Sequence, residues 1–200
     1  MTVLPWRDID TVLLDMDGTL LDLHYDNHFW LEHLPQRYAE LHGISRAMAD
    51  LELTPLFENN AGQLKWYCLD FWSRELKLPV RELKLETAHL IALRPDADTF
   101  LAAIKQAGKR VILITNAHRD SLSLKLERIE LAPYFERLIS SHDYGFPKES
   151  PAFWDAQGTC KIASLAVMPG LTSTVPTRRR MRFRSACKAS QNCGLSLGKP

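Results

Sequence analysis

The amino-acid sequence predicts an α/β fold with a parallel sheet and a helical module inserted after the first strand. Short apolar runs rich in β-branched residues alternate with segments of helical periodicity, and this order is typical of parallel sheets with crossover helices. Residues 22–92 interrupt the alternation with helical periodicity alone. The chain has 200 residues, of which 46% are hydrophobic, which is enough for one domain with a smaller appended module.

The predicted elements follow one another in a consistent order. Residues 11–14 are almost entirely apolar, as expected of a strand buried on both faces of a sheet. Residues 25–92 carry aromatic and leucine side chains at helical spacing, which favours helix packing over a cofactor site. The remaining predicted elements are a helix between Pro95 and Gly108, a strand over 110–115, a helix over 119–130 and a strand over 137–140.

Charge and cysteine content argue against several classes of protein. The formal net charge of +1 gives no global attraction to nucleic acids or membranes. Residues 1–10 lack the apolar core of a signal peptide, and no apolar run approaches the roughly 20 residues that span a bilayer, so we expect a cytoplasmic protein. The four cysteines show no paired spacing, which predicts free thiols and neither a zinc site nor a disulfide framework.

The stretch VLLDMDGTL places two aspartates and a turn directly after an apolar strand. Asp15 leaves the strand at the carboxyl end, where open α/β sheets bind ligands, and Asp17 can point to the same cavity. Two neighbouring carboxylates repel unless a cation lies beside them, and their hard oxygens suit Mg²⁺. Gly18 permits a tight turn, and Thr19 offers a hydroxyl and a backbone N–H to a phosphate. The stretch therefore predicts a phosphate site with Asp15 and Asp17 as metal ligands.

The sequence DMDGTLLD resembles the first signature of the haloacid dehalogenase superfamily, most of whose members are Mg²⁺-dependent phosphatases. The second signature is a Ser or Thr at the end of the next core strand, and Thr115 in VILITN matches it. The third is a lysine near the start of a later helix, and Lys148 in YGFPKESP matches that. The resemblance implies a Rossmannoid core with a parallel sheet and, as in subclass I of the family, a helical cap.

The resemblance also implies a role for each matched residue. Asp15 would attack phosphorus to form an aspartyl-phosphate, and Asp17 would protonate the leaving group and later activate water. Thr115 and Lys148 would hold the transferring phosphoryl group, and Mg²⁺ would lie on Asp15 and on the backbone carbonyl of Asp17. The further residues expected to bind substrate at this end of the sheet are Gly18, Thr19 and Asn116.

The stretch LDLHYDNHFW and the sequence through GFPKES resemble one branch of the family, the bacterial GMP/IMP nucleotidases. This resemblance implies a purine 5′-nucleotide as substrate, with a sugar-phosphate phosphatase or phosphomutase as the alternative. We expect a core over residues 1–21 and 93–155 and a cap over residues 22–92 that closes on the substrate. The cap residues expected either to contact substrate or only to pack the cap are His24, Tyr25, Asn27 and Trp30.

Residues 156–200 depart from the family pattern. The fourth signature is a strand that ends in acidic residues of the Mg²⁺ site, yet all 24 acidic residues lie at or before Asp155. Residues 164–168 suit the strand, but Pro169 and Gly170 follow where the carboxylates belong. The core is therefore expected to be incomplete at its carboxyl end and to continue into an atypical basic tail. If no strand forms in the tail, the first strand of the sheet has an exposed edge.

Three hypotheses account for the tail. A shift of the reading frame near codon 155 would convert alanine codons GCG into CGG and so produce the run TRRRMR. Alternatively, water or the two aspartates alone hold the ion, and the chain binds it weakly or is a catalytically impaired remnant. A basic arm for nucleic acid is disfavoured because it lacks a motif. We expect a small-molecule phosphate ester as partner, and neither a membrane nor a nucleic acid.

Overall fold

A four-stranded parallel sheet forms the centre of the computed structural model, which describes residues 6–157 and the backbone of residues 165–168. The strands are β1 (Thr11–Leu14), β2 (Arg110–Thr115), β3 (Arg137–Ser140) and β4 (Leu165–Met168). Their order is β3-β2-β1-β4, and all three neighbouring pairs are parallel. The strands predicted over 11–14, 110–115 and 137–140 are confirmed.

Strand β4 lies within the part of the chain that departs from the family pattern. Its backbone pairs with β1 in the register Leu14 to Met168, so β1 lies inside the sheet. The condition under which β1 would have an exposed edge is therefore not met, because the apolar residues 165–168 form a pairing strand. The arginine run and the other residues of 169–200 lie outside the described residues.

Five α-helices lie within residues 22–92, the segment inserted after β1. They are α1 (His24–His28), α2 (Leu34–His42), α3 (Arg46–Asn60), α4 (Leu69–Leu76) and α5 (Val80–Glu86). A π-helical turn, Phe29–His33, joins α1 to α2 without a break. Helix α2 ends at Gly43 in the left-handed conformation, and α3 begins at Ser45, whose hydroxyl accepts a hydrogen bond from the Met48 N–H at 3.3 Å.

Aromatic and leucine side chains hold these helices together, as their spacing predicts. Trp72 of α4 is completely buried, and its indole N–H donates to the Trp66 carbonyl oxygen at 2.7 Å. The rings of Trp30 and Phe57 pack edge-on against Trp72, with centroids 5.8 Å and 5.2 Å away. The five helices therefore have an apolar core of their own, separate from the core of the sheet.

Three helices pack with the sheet: α6 (Ala97–Gln106), α7 (Arg119–Arg128) and α8 (Pro151–Gln157). The two helices predicted here are confirmed, and α7 ends two residues earlier than expected. Gly108, after α6, has the left-handed φ of 67° that ends a helix readily. Within residues 6–157 and 165–168, no helix combines the length and the apolar content that crossing a membrane requires.

Two short chain segments connect the helical insertion to the sheet, and they run side by side. The Asp22 N–H donates to the Ala92 carbonyl at 2.9 Å, and the Arg94 N–H donates to the Leu20 carbonyl at 2.8 Å. Because Leu20 lies only six residues after the end of β1, this double connection holds the helices of the insertion over the carboxyl end of the sheet. We call the helical insertion the cap.

Candidate active site

Asp15 and Asp17 lie on a tight turn that begins where β1 ends. The Met16 carbonyl accepts hydrogen bonds from the N–H groups of Thr19, Leu20 and Leu21 at 2.9–3.3 Å. Gly18 has a φ of 77°, which glycine adopts readily. This agrees with the role predicted for Gly18 in a tight turn. We expected both the N–H and the hydroxyl of Thr19 to be available to a phosphate. The N–H instead donates to the Met16 carbonyl within the turn, which leaves the hydroxyl for a phosphate.

Lys148 lies beside Asp15, although the two residues are far apart in the sequence. The Lys148 ammonium is 2.5 Å from the Asp15 carboxylate, and the two side chains are 22% and 34% exposed. The Asn116 amide fixes the loop that carries Lys148, because its oxygen accepts from the Lys148 N–H at 2.9 Å and its nitrogen donates to Glu149 at 2.7 Å. Asn116 thus contributes to the site by positioning Lys148.

Thr115 is the last residue of β2 and lies at the same end of the sheet as Asp15. Its side chain is buried, and its hydroxyl oxygen accepts a hydrogen bond from the Ala117 N–H at 3.0 Å. Parallel pairing of β1 with β2 brings the carboxyl ends of both strands to one edge. The structure therefore brings Asp15, Asp17, Thr115 and Lys148 to the same end of the sheet.

A buried chain of charged groups extends from Asp17 into the cap. The Lys125 ammonium of α7 is 2.6 Å from Asp17 and 2.6 Å from Asp26 of α1, and Lys84 of α5 is 3.2 Å from Asp26. Both lysine side chains are only 2% exposed. Lys84 also lies over the rings of Tyr25 and Phe29, 4.7 Å and 4.4 Å from their centroids. These contacts compensate for the burial of the two ammonium groups.

The charges in this chain change the pKa values of the two aspartates in opposite directions. Burial raises the pKa of Asp17 to about 6, with a further increase from the Asp26 carboxylate, while Lys125 opposes the increase. Burial also acts to raise the pKa of Asp26, but Lys125 and Lys84 outweigh it and lower that pKa to about 2. Asp17 is therefore suited to exchange a proton near neutral pH, whereas Asp26 stays ionised.

Sequence reasoning missed Asp26, Lys84 and Lys125. The sequence does contain one indication that Lys125 is buried, because this residue lies on the face of α7 that also buries Leu122 and Leu124. A lysine on a buried helix face requires an anionic partner. The identity of that partner could not be read from the sequence, because Lys125 is 108 residues from Asp17 and 99 residues from Asp26.

A small cavity lies between the cap and the end of the sheet. Its volume is about 50 Å³, well below the roughly 300 Å³ of the smallest pockets that bind drug-sized ligands. A space of this size holds one or two water molecules and no nucleotide. The cap is thus closed on the core, and a large substrate requires it to move. The residues that line the cavity are Asp17, Asp26, Trp30, Trp66, Tyr67, Leu69, Lys84, Ala117, Ser121 and Lys125.

The four cap residues expected either to contact substrate or only to pack the cap lie in different surroundings. Trp30 lines the cavity. Tyr25 is buried behind it, where its hydroxyl donates to the Lys84 carbonyl at 3.1 Å. His24 is exposed, and Asn27 is half-buried. Neither His24 nor Asn27 contributes to the lining of the cavity in the closed arrangement.

The donors present fit a Mg²⁺ ion in part. The Asp15 carboxylate and the Asp17 backbone carbonyl are hard oxygen donors at the mouth of the site, and Asp15 is accessible. Mg²⁺ in proteins is commonly held by one or two carboxylates, with water and substrate phosphate completing its shell. Within the described residues, no third carboxylate joins these two aspartates in a cluster of ligand atoms. The set is therefore sufficient for a weak, substrate-assisted site.

Comparisons with known proteins agree with this geometry. A family model for haloacid dehalogenase-like hydrolases matches residues 9–157. The chain is 42% identical over 151 residues to the GMP/IMP nucleotidase YrfG of Escherichia coli (strain K12), covering 76% of this chain and 68% of that protein. The same values hold for YrfG of Shigella flexneri.

Solved structures share the fold at lower sequence identity. A phosphatase of the family from Thermococcus onnurineus superposes with a TM-score of 0.64 at 23% identity, covering 75% of this chain and 72% of that one. CbbY from Rhodobacter sphaeroides, solved in complex with phosphate, gives a TM-score of 0.51 at 17% identity and covers 80% and 76% of the two chains. With the family match over residues 9–157 and a relative of 42% identity, the chain belongs to the haloacid dehalogenase-like hydrolases and is an enzyme of that family.

Proposed function

We propose that this enzyme hydrolyses phosphate monoesters with Mg²⁺ as cofactor, and that its substrate is a purine 5′-nucleotide such as GMP or IMP. The main observation in support of this activity is the contact of Lys148 with Asp15 at the carboxyl end of the sheet. The identity of 42% to a protein named GMP/IMP nucleotidase supports the choice of substrate. A sugar phosphate is the alternative substrate class.

Asp15 is the nucleophile in this proposal. Its carboxylate is 34% exposed at the end of β1, so a phosphate group can reach it. Attack of one carboxylate oxygen on phosphorus forms an aspartyl-phosphate and breaks the bond to the 5′-oxygen of the nucleoside. A water molecule then attacks the phosphorus atom, which releases inorganic phosphate and restores the carboxylate.

Asp17 transfers the protons for both steps. A carboxyl group with a pKa of about 6 is protonated in a useful fraction of molecules near neutral pH. Because the Lys125 ammonium donates to Oδ1 of Asp17, the acidic proton belongs on Oδ2. Asp17 gives this proton to the departing 5′-oxygen and, as a carboxylate, accepts one from the hydrolytic water.

Cationic and hydroxyl groups at the site bind the phosphoryl group. Lys148 offers its ammonium beside Asp15, and the Thr115 hydroxyl keeps its proton for donation because its oxygen accepts from Ala117. The Asp15 carboxylate and the Asp17 carbonyl would hold Mg²⁺, which would supply positive charge to offset the repulsion between phosphate and carboxylate. With so few protein donors, we expect the affinity for Mg²⁺ to be low.

The aromatic lining of the cavity supports a nucleobase as part of the substrate. Trp30, Trp66 and Tyr67 border the space beside Asp17, and their rings can stack on a purine once the cap moves. The half-buried Tyr67 hydroxyl interacts with Asn116 of the core, which brings this ring close to the phosphate end of the site. A sugar phosphate has no aromatic ring to use this surface.

The test is phosphate release by the purified chain from GMP, IMP and glucose 6-phosphate, with a Mg²⁺ titration from micromolar to tens of millimolar. The Asp15→Asn variant is the matched control, because it keeps the size of the side chain and removes the nucleophile. We expect release from the two nucleotides that requires Mg²⁺ and falls by roughly 10³-fold or more in the control. Preference for glucose 6-phosphate would overturn the substrate assignment. Release no greater than that of Asp15→Asn, from a folded chain, would overturn the proposed activity.

A further inference from the structure

Three side chains with metal-binding atoms meet where the cap contacts the core. Cys68 lies directly before α4 of the cap, His118 directly before α7, and His142 in the 3-10 turn that follows β3. The Cys68 sulfur and one ring nitrogen of each histidine lie within 4.8 Å of one another. Free cysteines were expected from the sequence, and the thiol of Cys68 is free, but its neighbourhood could not be seen there.

Hydrogen bonds fix the backbone at each of the three positions. The Cys68 N–H donates to the Lys65 carbonyl at 3.1 Å, and the Cys68 carbonyl accepts from Trp72 at 3.2 Å. The His118 carbonyl accepts from Leu122 at 2.9 Å, at the start of α7. The His142 N–H donates to the Ser140 hydroxyl at 3.2 Å. The side chains are thus presented by ordered ends of helices and turns.

The imidazole rings leave buried nitrogen atoms without hydrogen bonds. Nδ1 of His118 and Nε2 of His142 are both buried, and neither has a hydrogen-bond partner among the residues that the structure describes. The carboxylates nearest to His118 are Asp70 and Asp120, at 3.8 Å and 3.9 Å, which is beyond hydrogen-bond distance. A buried ring nitrogen without a partner is costly, and coordination of a metal ion would satisfy it.

The types of donor select the class of ion. A thiolate and two neutral imidazoles suit Zn²⁺ and related transition metals, whereas Mg²⁺ takes oxygen ligands. Tetrahedral zinc with bonds of about 2.0–2.3 Å places its ligand atoms about 3.3–3.6 Å apart, so the three donors have to draw together by at most about 1.5 Å. All three residues are partly exposed, which leaves a path for the ion and room for water as a fourth ligand.

We propose that Cys68, His118 and His142 form a binding site for Zn²⁺ that joins the cap to the core. The ion displaces the thiol proton of Cys68 and binds the two neutral imidazoles, and water or one of the nearby carboxylates supplies the fourth ligand. Because Cys68 belongs to the cap and both histidines belong to the core, bound Zn²⁺ holds the closed arrangement. The three ligands are distinct from the residues proposed to act on the phosphate, but the ion restrains the cap movement that a large substrate requires.

Cobalt(II) is the probe for the test, since tetrahedral Co²⁺ with a thiolate ligand has strong visible bands and a thiolate charge-transfer band in the near ultraviolet. The purified 200-residue chain is treated with chelator, reduced and titrated with Co²⁺, and Zn²⁺ is then added. We expect both sets of bands to saturate at one Co²⁺ per chain and to disappear when one equivalent of Zn²⁺ is added.

Variants assign the ligands. Cys68→Ser removes the charge-transfer band, and His142→Ala removes the strong visible bands. A chain with Cys160→Ser, Cys187→Ser and Cys193→Ser retains both, as does His89→Ala, which alters an exposed histidine of the cap. Far-ultraviolet circular dichroism checks that each variant is folded. The proposal is wrong if the unaltered chain gives no thiolate band, or if the band survives Cys68→Ser and disappears when the three other cysteines are replaced.

Discussion

Replacement of Lys125 by methionine tests the electrostatic control of Asp17. Methionine keeps an unbranched side chain of similar length in the buried position and removes the ammonium that lies 2.6 Å from Asp17. Opposite charges 4 Å apart attract by about 4 kcal/mol in the effective dielectric of a protein surface. Since solvent and neighbouring groups screen the Asp17 carboxylate once the ammonium is gone, we expect about half of this energy at Asp17. At 1.36 kcal/mol per pH unit, the pKa of Asp17 rises by about one to two pH units.

The assay is the pH dependence of kcat/KM for GMP hydrolysis. If protonated Asp17 is the general acid, kcat/KM falls as pH rises through its pKa, so the alkaline limb of the profile moves to higher pH in Lys125→Met. Ionisation of the substrate phosphate is the same for every variant and cancels in the comparison. Lys105→Met, an exposed lysine on α6, is the matched control and leaves the limb in place.

An unchanged alkaline limb in a folded Lys125→Met protein would refute this reasoning. It would mean either that Asp17 does not donate the proton or that Lys125 does not control its pKa. Carbon-13 NMR of labelled aspartate, with Asp17→Asn to assign the signal, separates the two explanations. The NMR titration reports the pKa of Asp17 whether or not the enzyme turns over.

Three further predictions concern single residues. Lys148→Met lowers kcat for GMP by roughly 10²-fold or more, because the ammonium beside Asp15 is lost; a smaller change in a phosphate-release assay would place the phosphate elsewhere. In urea denaturation, Gly18→Ala lowers the free energy of unfolding by more than Gly145→Ala does. Both glycines have left-handed φ values, but of these two positions only Gly18 places the new methyl group against a side chain, that of Leu23, at 3.3 Å. Asp26, with a pKa of about 2 against the ordinary 3.8, contributes about 2 kcal/mol of stability that is present above about pH 4 and lost as pH falls towards 2. Urea midpoints measured down this range should fall in the unaltered chain more steeply than in Asp26→Asn, and parallel curves would contradict the assignment.

The sequence predicted the strands and the turn after β1, because residues close together along the chain determine these parts of the fold. Strands β1 and β2 are mostly apolar runs, and such runs need burial on both faces wherever the chain goes. Asp15 and Asp17 could be placed because a turn directly after a strand has few possible geometries. The connection of Lys148 to Asp15 required the family pattern, since nothing within the stretch YGFPKESP specifies its partner.

Residues whose role depends on distant partners could not be predicted in the same way. Lys125 and Asp26 lie on different helices, one in the core and one in the cap, and their ion pair joins the two parts of the molecule. The cluster of Cys68, His118 and His142 has the same origin, because three separate turns supply one donor each. Spacing rules for metal ligands detect pairs within one loop and cannot detect ligands that come from three separate turns.

Strand β4 illustrates a different limit. The sequence of residues 164–168 suits a strand, and its backbone pairs with β1 as expected of the last core strand. The match to the family model nevertheless ends at residue 157, two residues after the last acidic residue of the chain. Translation of the gene in its other frames beyond codon 155 tests the frameshift hypothesis, which requires an apolar strand followed by acidic residues in one of them.

Replacement of Asp26 by asparagine is expected to shift the pKa of Asp17 in the direction opposite to that in Lys125→Met. The Asp26 carboxylate raises the pKa of Asp17 by repulsion, so its neutralisation in Asp26→Asn lowers that pKa. Lys125, freed from its second carboxylate, then interacts with Asp17 alone and lowers the pKa further. The alkaline limb of kcat/KM therefore moves to lower pH in Asp26→Asn, whereas it moves to higher pH in Lys125→Met. General disruption of the cap would shift both variants in the same direction, and that result would contradict a role for this chain of charges in setting the acidity of Asp17.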